Sequence, residues 1–451
     1  MKRIASLILA IVFVFSTFNY GHALSINVQY LDVKIGTSKG ITDEIKITNY
    51  NSSVELALYD GNRNNLMDLD SSVSIKYDSA TKKFKIYDSE DREIATIDPG
   101  KGNIIGSPDK GVIKVDGKSY RDYVYFVINS NKIDIVNHIQ LEKYLYGVVP
   151  REMPTYSTGI EALKAQAVTA RSFAVRNKDK HRSLGYGLCD TTDCQVYGGY
   201  DGEADMANEA VNATKDEVVT YNGSIIATYY HANSGGHTED AGKVWSSDVP
   251  YCKGVPDNYS KGAYGYEWNY TITFSEMENR LKSKGHDVGT LRDVQVTSRT
   301  ASNRAYRVKL IGSKGSKEIT GDQFRGAIGY SYLKSTMFNM EKSGGTLQGS
   351  ISILDRLGKI LSKALSGLSV IGKDGKVTTI SNPVVVIDAS GTKRTLGQKT
   401  NPTQIKFTGN GYGHGVGMSQ YGAINMAASG KTYKQIITHY YTNVKIEKIN
   451  Q

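Results

Sequence analysis

"GVVPREMPTYSTGIEALKAQAVTARSFAVRNK", residues 147–178, joins two kinds of chain. From residue 157 to 178 it reads as a helix, with Thr158 and Glu161 at capping-box spacing. With Ile160 at zero and about 100° per residue, Leu163, Ala167, Ala170 and Ala174 fall between about −20° and −80°. Arg171 falls at about +20°, on the edge of that small-residue stripe. A charge there needs a partner, and a carboxylate just upstream is a natural one; otherwise the side chain snorkels to solvent. The first half is stiffer. A strand is expected to end at Pro150, and Pro154 pushes Met153 into an extended conformation. Glu152 is therefore predicted on a rigid, non-helical segment beside Val149 and Met153. There it is either a general acid with a raised pKa or an exposed loop glutamate.

Outward from this stretch the pattern is mixed. Residues 25–110 alternate apolar and polar in short runs such as "SVELALYD" and "KKFKIYD", broken by turn clusters. That pattern predicts an all-β module of hairpins, and strands continue over 111–139. Further helices are expected at "ADMANEAVNAT" and "FSEMENRLKSKG", and a hairpin at "EVVTYNGSIIATYYHA" about Asn222-Gly223. Residues 341–400 read as an insertion. Leu354, Leu357, Leu361, Leu365 and Leu368 there share one helical face, and "KVTTI" and "PVVVID" read as strands. Two more helices close the chain, one capped by Ser419 and one with Thr432 and Gln435 as a capping box. The fold class predicted is α+β: a mixed helix and strand domain over 111–445, interrupted at 341–400 and preceded by the β module. No tandem repeat stands out.

The 451 residues suggest two or three domains. A hydrophobic content of 39% and a charge content of 22% fit a folded, soluble protein. Lys2 and Arg3 lead an apolar run to Phe18, and Gly21-His22-Ala23 resembles a cleavage site. This is the layout of a secretory signal peptide over 1–23, or of an uncleaved anchor. Export to the cell wall or the outer membrane face is the expectation. Without Lys2 and Arg3 the formal charge of +10 becomes +8, which suits wall polymers or lipid head groups. With no compact Lys/Arg block, nucleic acid is not the expected partner.

Cys189 and Cys194, with Asp190 and Asp193 between them and His181 before, supply either three ligands of a tetrahedral zinc site or a disulfide. Cys252 would stand alone. In "YYHANSGGHTED" (229–240), Ser234, Gly235 and Gly236 permit close backbone approach to a ligand. No H-E-x-x-H occurs, and the G-x-S-x-G match Gly36-Thr37-Ser38-Lys39-Gly40 lies among the hairpins of the β module rather than at a strand-to-helix turn, so a standard zinc protease and an ordinary serine esterase are set aside. In "GNGYGHGVGMSQYGA" (409–423) no frame gives G-x-G-x-x-G, and Asn425 breaks the phosphate-loop spacing ahead of Gly430-Lys431-Thr432. Alternating glycines in a strand would leave one face bare around His414.

Taken in order, "LEKYLYGVVPREMP", "EALKAQAVTARSFAV", "CDTTDCQVYGGY", "SGGHTED" and "GYGHGVGMSQYGA" resemble the SpoIID/LytB family, across about 110–340 and 403–445. The resemblance implies a peptidoglycan lytic transglycosylase, with Glu152 as the catalytic acid and Arg171 orienting it or the sugar. It implies glycan contacts from Gln195, Tyr197, Ser234, Gly235, Gly236, His414, Ser419 and Gln420. It also implies zinc at His181, Cys189 and Cys194, although Asp193 stands where relatives carry histidine. The family's other branch stimulates a wall amidase and implies other cell-wall hydrolases as partners.

Overall fold

The computed structural model describes residues 24–25, 28–107, 111–156, 158–245, 247–345, 347–354, 356–371, 374–380, 383–387 and 390–450. The leader expected over 1–23 lies outside them. The hairpin pattern of the first third forms two sheets. One orders Leu188–Cys189, Tyr30–Gly40, Lys132–Gln140, Tyr123–Asn129, Asn103–Gly106, Leu56–Asp60 and Asn65–Leu69. The other orders Lys118–Arg121, Val112–Val115, Ile45–Asn49, Ser72–Asp78, Lys83–Tyr87 and Glu93–Ile97. Their alternating apolar residues share one core, where the Phe84 and Phe126 rings lie 5.2 Å apart. Strands from both sides of residue 110 hydrogen-bond in these sheets, so the boundary expected there falls inside them.

The strand Lys132–Gln140 runs without a loop into α1 (Leu141–Glu152). This corrects the expectation that Glu152 sits on a non-helical segment after a strand. Leu141, Tyr144, Leu145, Val148 and Val149 are buried at i, i+3, i+4, i+7 and i+8 spacing, one helical face. That burial outweighs the cost of Pro150 inside the helix, about 3 kcal/mol. The helix stops at Met153, which is extended ahead of Pro154.

Helix α2 (Ile160–Asn177) is buried almost all round, because its alanines let neighbouring helices come close. The capping box expected at its start does not form. Gly159 is the N-cap, the Thr158 hydroxyl donates to the Pro154 carbonyl, and the Glu161 carboxylate accepts from the Tyr433 amide at 2.8 Å. Helices α3 (Asp205–Ala213) and the short α4 (Ala241–Val244) follow.

A second core belongs to residues 268–338 with Ile405 and Phe407. It is built from α5 (Phe274–Ser283), α6 (Gly321–Ile328) and two three-stranded sheets. Two of its strands, Phe338–Ser343 and Gln404–Asn410, pair antiparallel from Phe338↔Gly409 to Ser343↔Gln404. The 341–400 stretch is thus the loop of one long hairpin. Among the described residues the helix expected there is not found. Ser350–Leu354 pairs with Ile360–Ala364, Ser369–Ile371 with Val377–Thr379, and Val384–Ile387 with Lys393–Leu396. Gly358, at φ 79°, turns the chain where a helical period would have carried on.

The strand Gln404–Asn410 ends where the glycine-rich stretch begins. Gly411, Gly413, Gly415 and Gly417 have φ of 85°, 119°, 87° and 72°, so the bare-faced strand expected there does not exist. The stretch instead coils against residues 230–239, with bridges Asn233↔Tyr412 and Glu239↔Val416. Helices α7 (Gln420–Ala428), capped by the Ser419 hydroxyl, and α8 (Tyr433–Tyr440), with the Thr432–Gln435 capping box, complete the first core.

Candidate active site

Glu152 ends α1 on the wall of a cleft of about 770 Å³. Its Oε1 accepts from the Val196 amide at 2.9 Å. The side chains of Tyr230 and Gln420 also hydrogen-bond it, and these contacts favour the carboxylate. Burial works the other way and wins, holding the carboxyl above its ordinary range. The Tyr230 phenol is itself pushed well above 10 by burial, so it stays protonated as a donor. Its oxygen accepts from Gln195 Nε2 at 3.0 Å, and Gln195 donates also to the Ala170 carbonyl. One chain of contacts therefore runs from α2 through Gln195 and Tyr230 to Glu152.

His414 serves the same chain. Its Nδ1 accepts from the Val416 amide at 3.0 Å, and its ring hydrogen-bonds the Tyr230 backbone. Burial and the nearby Arg325 charge hold its pKa down to about 4, so it is neutral near pH 7. His231 Nδ1 lies 3.1 Å from the Val416 carbonyl, and the two imidazole centroids are 5.5 Å apart. The glycine-rich coil is thus pinned to the strand that carries Tyr230. Beneath it, Arg304 of the second core donates to the Ser234 carbonyl at 2.5 Å. Arg325 donates to the Leu333 and Lys334 carbonyls at 2.8 and 2.9 Å, and Lys334 accepts from the Gly413 amide.

Arg171 does not reach Glu152. Its Nε and Nη2 donate to Glu142 at 2.8 and 2.7 Å, and further bonds go to the Glu217 and Val211 carbonyls. The side chain is fully buried, and the carboxylate it needed is the one that opens α1. Tyr197, Ser234, Gly235, Gly236 and Ser419 do not line the cleft either. The Tyr197 hydroxyl donates to Asn137 at 2.9 Å, and the Ser234 hydroxyl to Asp257 at 2.7 Å. Gly235 backs closely onto the Asn410 carbonyl, Gly236 adopts φ 105°, and Ser419 caps α7. Of the residues expected to contact the glycan, His414 and Gln420 do line the cleft, and Gln195 stands directly behind Tyr230.

Beside Glu152, one ligand atom each from His181, Cys189, Asp193 and Cys194 lie within 4.8 Å of one another. His181 Nε2 is 3.4 Å from Cys194 Sγ and 3.1 Å from Asp193 Oδ2. Zinc bonded tetrahedrally at about 2.0 Å to nitrogen or oxygen and about 2.3 Å to sulfur would set such pairs about 3.3–3.5 Å apart. The donor set fits, and Asp193 would supply the fourth ligand. Both sulfurs are unbridged, and Cys189 is the more acidic of the pair because Cys194 hydrogen-bonds its thiolate. Cys252 is buried, with its pKa pushed up to about 12.

A family model described as stage II sporulation protein matches residues 129–221. A stage II sporulation protein D of Bacillus subtilis is 30% identical over 329 residues, 69% of this chain and 76% of that protein. The chain belongs to the stage II sporulation protein D family. A protein named amidase enhancer, also from Bacillus subtilis, is 35% identical over 341 residues, 73% of this chain; the match spans 44% of that relative's length. An uncharacterized protein of Brachyspira hyodysenteriae is 27% identical over 360 residues, covering 78% and 80% of the two chains. Residues 253–353 match a family model for a domain of unknown function. In this family member that stretch contributes Asp322, Arg325 and Tyr330 to the cleft. Those residues, with Phe173, Tyr230 and Trp245, escaped the sequence reading. Phe173 and Tyr230 stand inside quoted motifs, at 161–175 and 229–240, but neither was singled out.

Proposed function

We propose that the protein is an exported peptidoglycan lytic transglycosylase, active on glycan strands in sporulation or wall remodelling. The observation that carries this is Glu152: one carboxyl in a cleft, its pKa raised by burial, against Tyr230, Gln420 and the Val196 amide. Its proton goes to the glycosidic oxygen between N-acetylmuramic acid and N-acetylglucosamine as the C1–O bond breaks. The oxocarbenium-like centre is then captured by the muramic acid 6-hydroxyl. Glu152 takes that hydroxyl's proton while the new C1–O6 bond closes a 1,6-anhydro ring. No water is consumed, and the acid is regenerated. Tyr230 and Gln420 hold the carboxyl, and Trp245, Phe173 and Tyr412 offer ring faces to the sugars.

Zinc at His181, Cys189, Asp193 and Cys194 would cross-link the loop that presents the Val196 amide to Glu152, a structural role. The apolar run behind Lys2 and Arg3 supports export, and outside the membrane glycan strands and other wall hydrolases would be its partners. The relative named amidase enhancer supports a second reading, a wall-binding protein that stimulates an amidase and cuts nothing. Purified glycan strands, with and without stem peptides, separate the two. Mass spectrometry should find 1,6-anhydro ends with the wild type and none with Glu152→Gln. Absence of product from the wild type leaves the enhancer reading.

A further inference from the structure

A second cavity, of about 480 Å³, opens at the N-terminal end of α1. It stands at the other end of the helix from Glu152, about 16 Å along the axis, and the proposed chemistry makes no use of it. Five separate chain segments meet there, and four of the lining side chains are cations: Arg63, Arg121, Lys143 and Lys215. Glu142, the one carboxylate among the described lining residues, is already closed by Arg171. Arg121 is fixed by Glu203 through two bonds of 2.6 and 2.8 Å, and Lys143 by Asp122 at 2.6 Å. Arg63 and Lys215 have no carboxylate partner among the described residues.

Arg63, Arg121 and Lys143 are held in place rather than waving on the surface. Arg63, at φ 72°, stands with its guanidinium 4.3 Å from the centroid of Tyr30. The Tyr30 ring stacks in turn on His138 at 4.6 Å and 14°. The remaining lining is mostly amide and phenol: Gln29, Gln140, Asn212 and Tyr146, with Leu141 the one aliphatic side chain. Fixed guanidinium groups recognise carboxylates and phosphates, amides recognise hydroxyls, and a lining this rich in polar groups does not suit a hydrophobic ligand.

We propose that this cavity binds an anionic wall polymer, a sugar or polyol chain bearing carboxylates or phosphodiesters. The proposal rests on the reading that the protein works at the cell wall, and it does not depend on whether Glu152 cuts. It gives the enzyme a second hold on the wall, away from the cleft.

The experiment compares the wild type with an Arg63→Glu/Lys215→Glu double variant, both positions being exposed. Thermal melts verify the fold. Three probes are used: sacculi carrying their phosphodiester polymers, the same sacculi stripped with hydrofluoric acid, and stripped sacculi with amidated carboxyls. At about 0.05 M salt the wild type should bind native sacculi about tenfold more tightly than the double variant, and at about 0.5 M the gap should close. Loss of the gap on stripping assigns phosphodiesters, and loss only on amidation assigns carboxylates. Equal retention of both proteins on native sacculi, or a gap that survives amidation, overturns the proposal. Failure of the catalytic reading shows elsewhere, as absence of 1,6-anhydro ends from wild-type digests.

Discussion

Arg171 grips Glu142, at 2.8 and 2.7 Å, at the opposite end of α1 from Glu152. The pair ties the start of α1 to the middle of α2, and through the Glu217 and Val211 carbonyls to the strand and helix beyond. Arg171→Met would leave a largely buried carboxylate unpaired, a loss of about 3–5 kcal/mol. Urea denaturation should show that loss, while turnover per folded molecule stays near wild type. Adding Glu142→Gln should restore part of the stability. A fully stable Arg171→Met protein without turnover would return the arginine to the chemistry.

Glu152 makes the opposite trade. Burial raises its pKa, so the folded chain holds this proton to higher pH than the unfolded chain does. The stability from this group is complete below the unfolded value, about 4.3. It is lost as pH rises through the folded one. Near neutrality the group is a cost, so Glu152→Gln should melt at or above the wild-type temperature while forming no product. The kcat/KM of the wild type should fall as pH rises through the same folded pKa. A variant that melts well below wild type would mean the carboxylate is structural.

Local periodicity explains what was legible. Short alternating strands, the Asn222-Gly223 turn, α2, α5 and the Ser419 and Thr432 caps all rest on signals within a dozen residues, and each is found. Errors came where a distant partner decides. Val148 and Val149 read as strand until the sheet beneath them makes them one face of α1. The leucines of 354–368 match a helical period, but Gly358 and Gly367 at φ 79° and 78° turn that chain into hairpins. Arg171 was correctly read as needing a carboxylate. Glu142, Glu152 and Glu161 all lie upstream in sequence, and only the packing of α1 on α2 selects Glu142. The cleft draws Asp322 and Arg325 from a separate core, where no local spacing ties them to Glu152.

The metal cluster gives a direct measurement. Elemental analysis should return about one zinc per chain, and chelation should lower the melting temperature. Cys189→Ser and Asp193→Ala should each reduce the metal content, since each removes one of four converging ligand atoms. If zinc is structural, product from the metal-depleted protein should still carry 1,6-anhydro ends wherever the fold survives. Thiol titration that finds Cys189 and Cys194 oxidised in metal-free protein would favour the disulfide instead.

His414 sets an acid limit. Its folded pKa of about 4 lies below its unfolded value of about 6.5. The unfolded chain therefore binds the extra proton first, and stability falls as pH drops from about 6.5 towards about 4. Below that range His414 becomes a cation facing Arg304 and Arg325, whose charges already oppose its protonation. His414→Gln should flatten this slope in denaturation curves measured at stepped pH. It should also weaken turnover at neutral pH, because the imidazole holds the Tyr230 backbone. An unchanged slope would mean that another group titrates there.

Gly417 tests whether the glycines of the coil are needed for shape. Its φ is 72°, and a Cβ there would lie 2.0 Å from the Tyr229 carbonyl oxygen. That oxygen cannot step aside, because it accepts from the Tyr441 hydroxyl at 2.6 Å and from the Met418 amide at 3.1 Å. Gly417→Ala therefore combines left-handed strain with a backbone clash, together about 2–6 kcal/mol. Gly430 is the control: its φ is 81°, but nothing lies within 4 Å of its Cβ position. Gly430→Ala should cost only the strain, about 1 kcal/mol. Because Tyr229 precedes Tyr230, the Gly417 variant should also lose turnover at temperatures where it remains folded, and the Gly430 variant should not. Equal melting shifts in the two would show that the coil tolerates a side chain and that its glycines serve only backbone conformation.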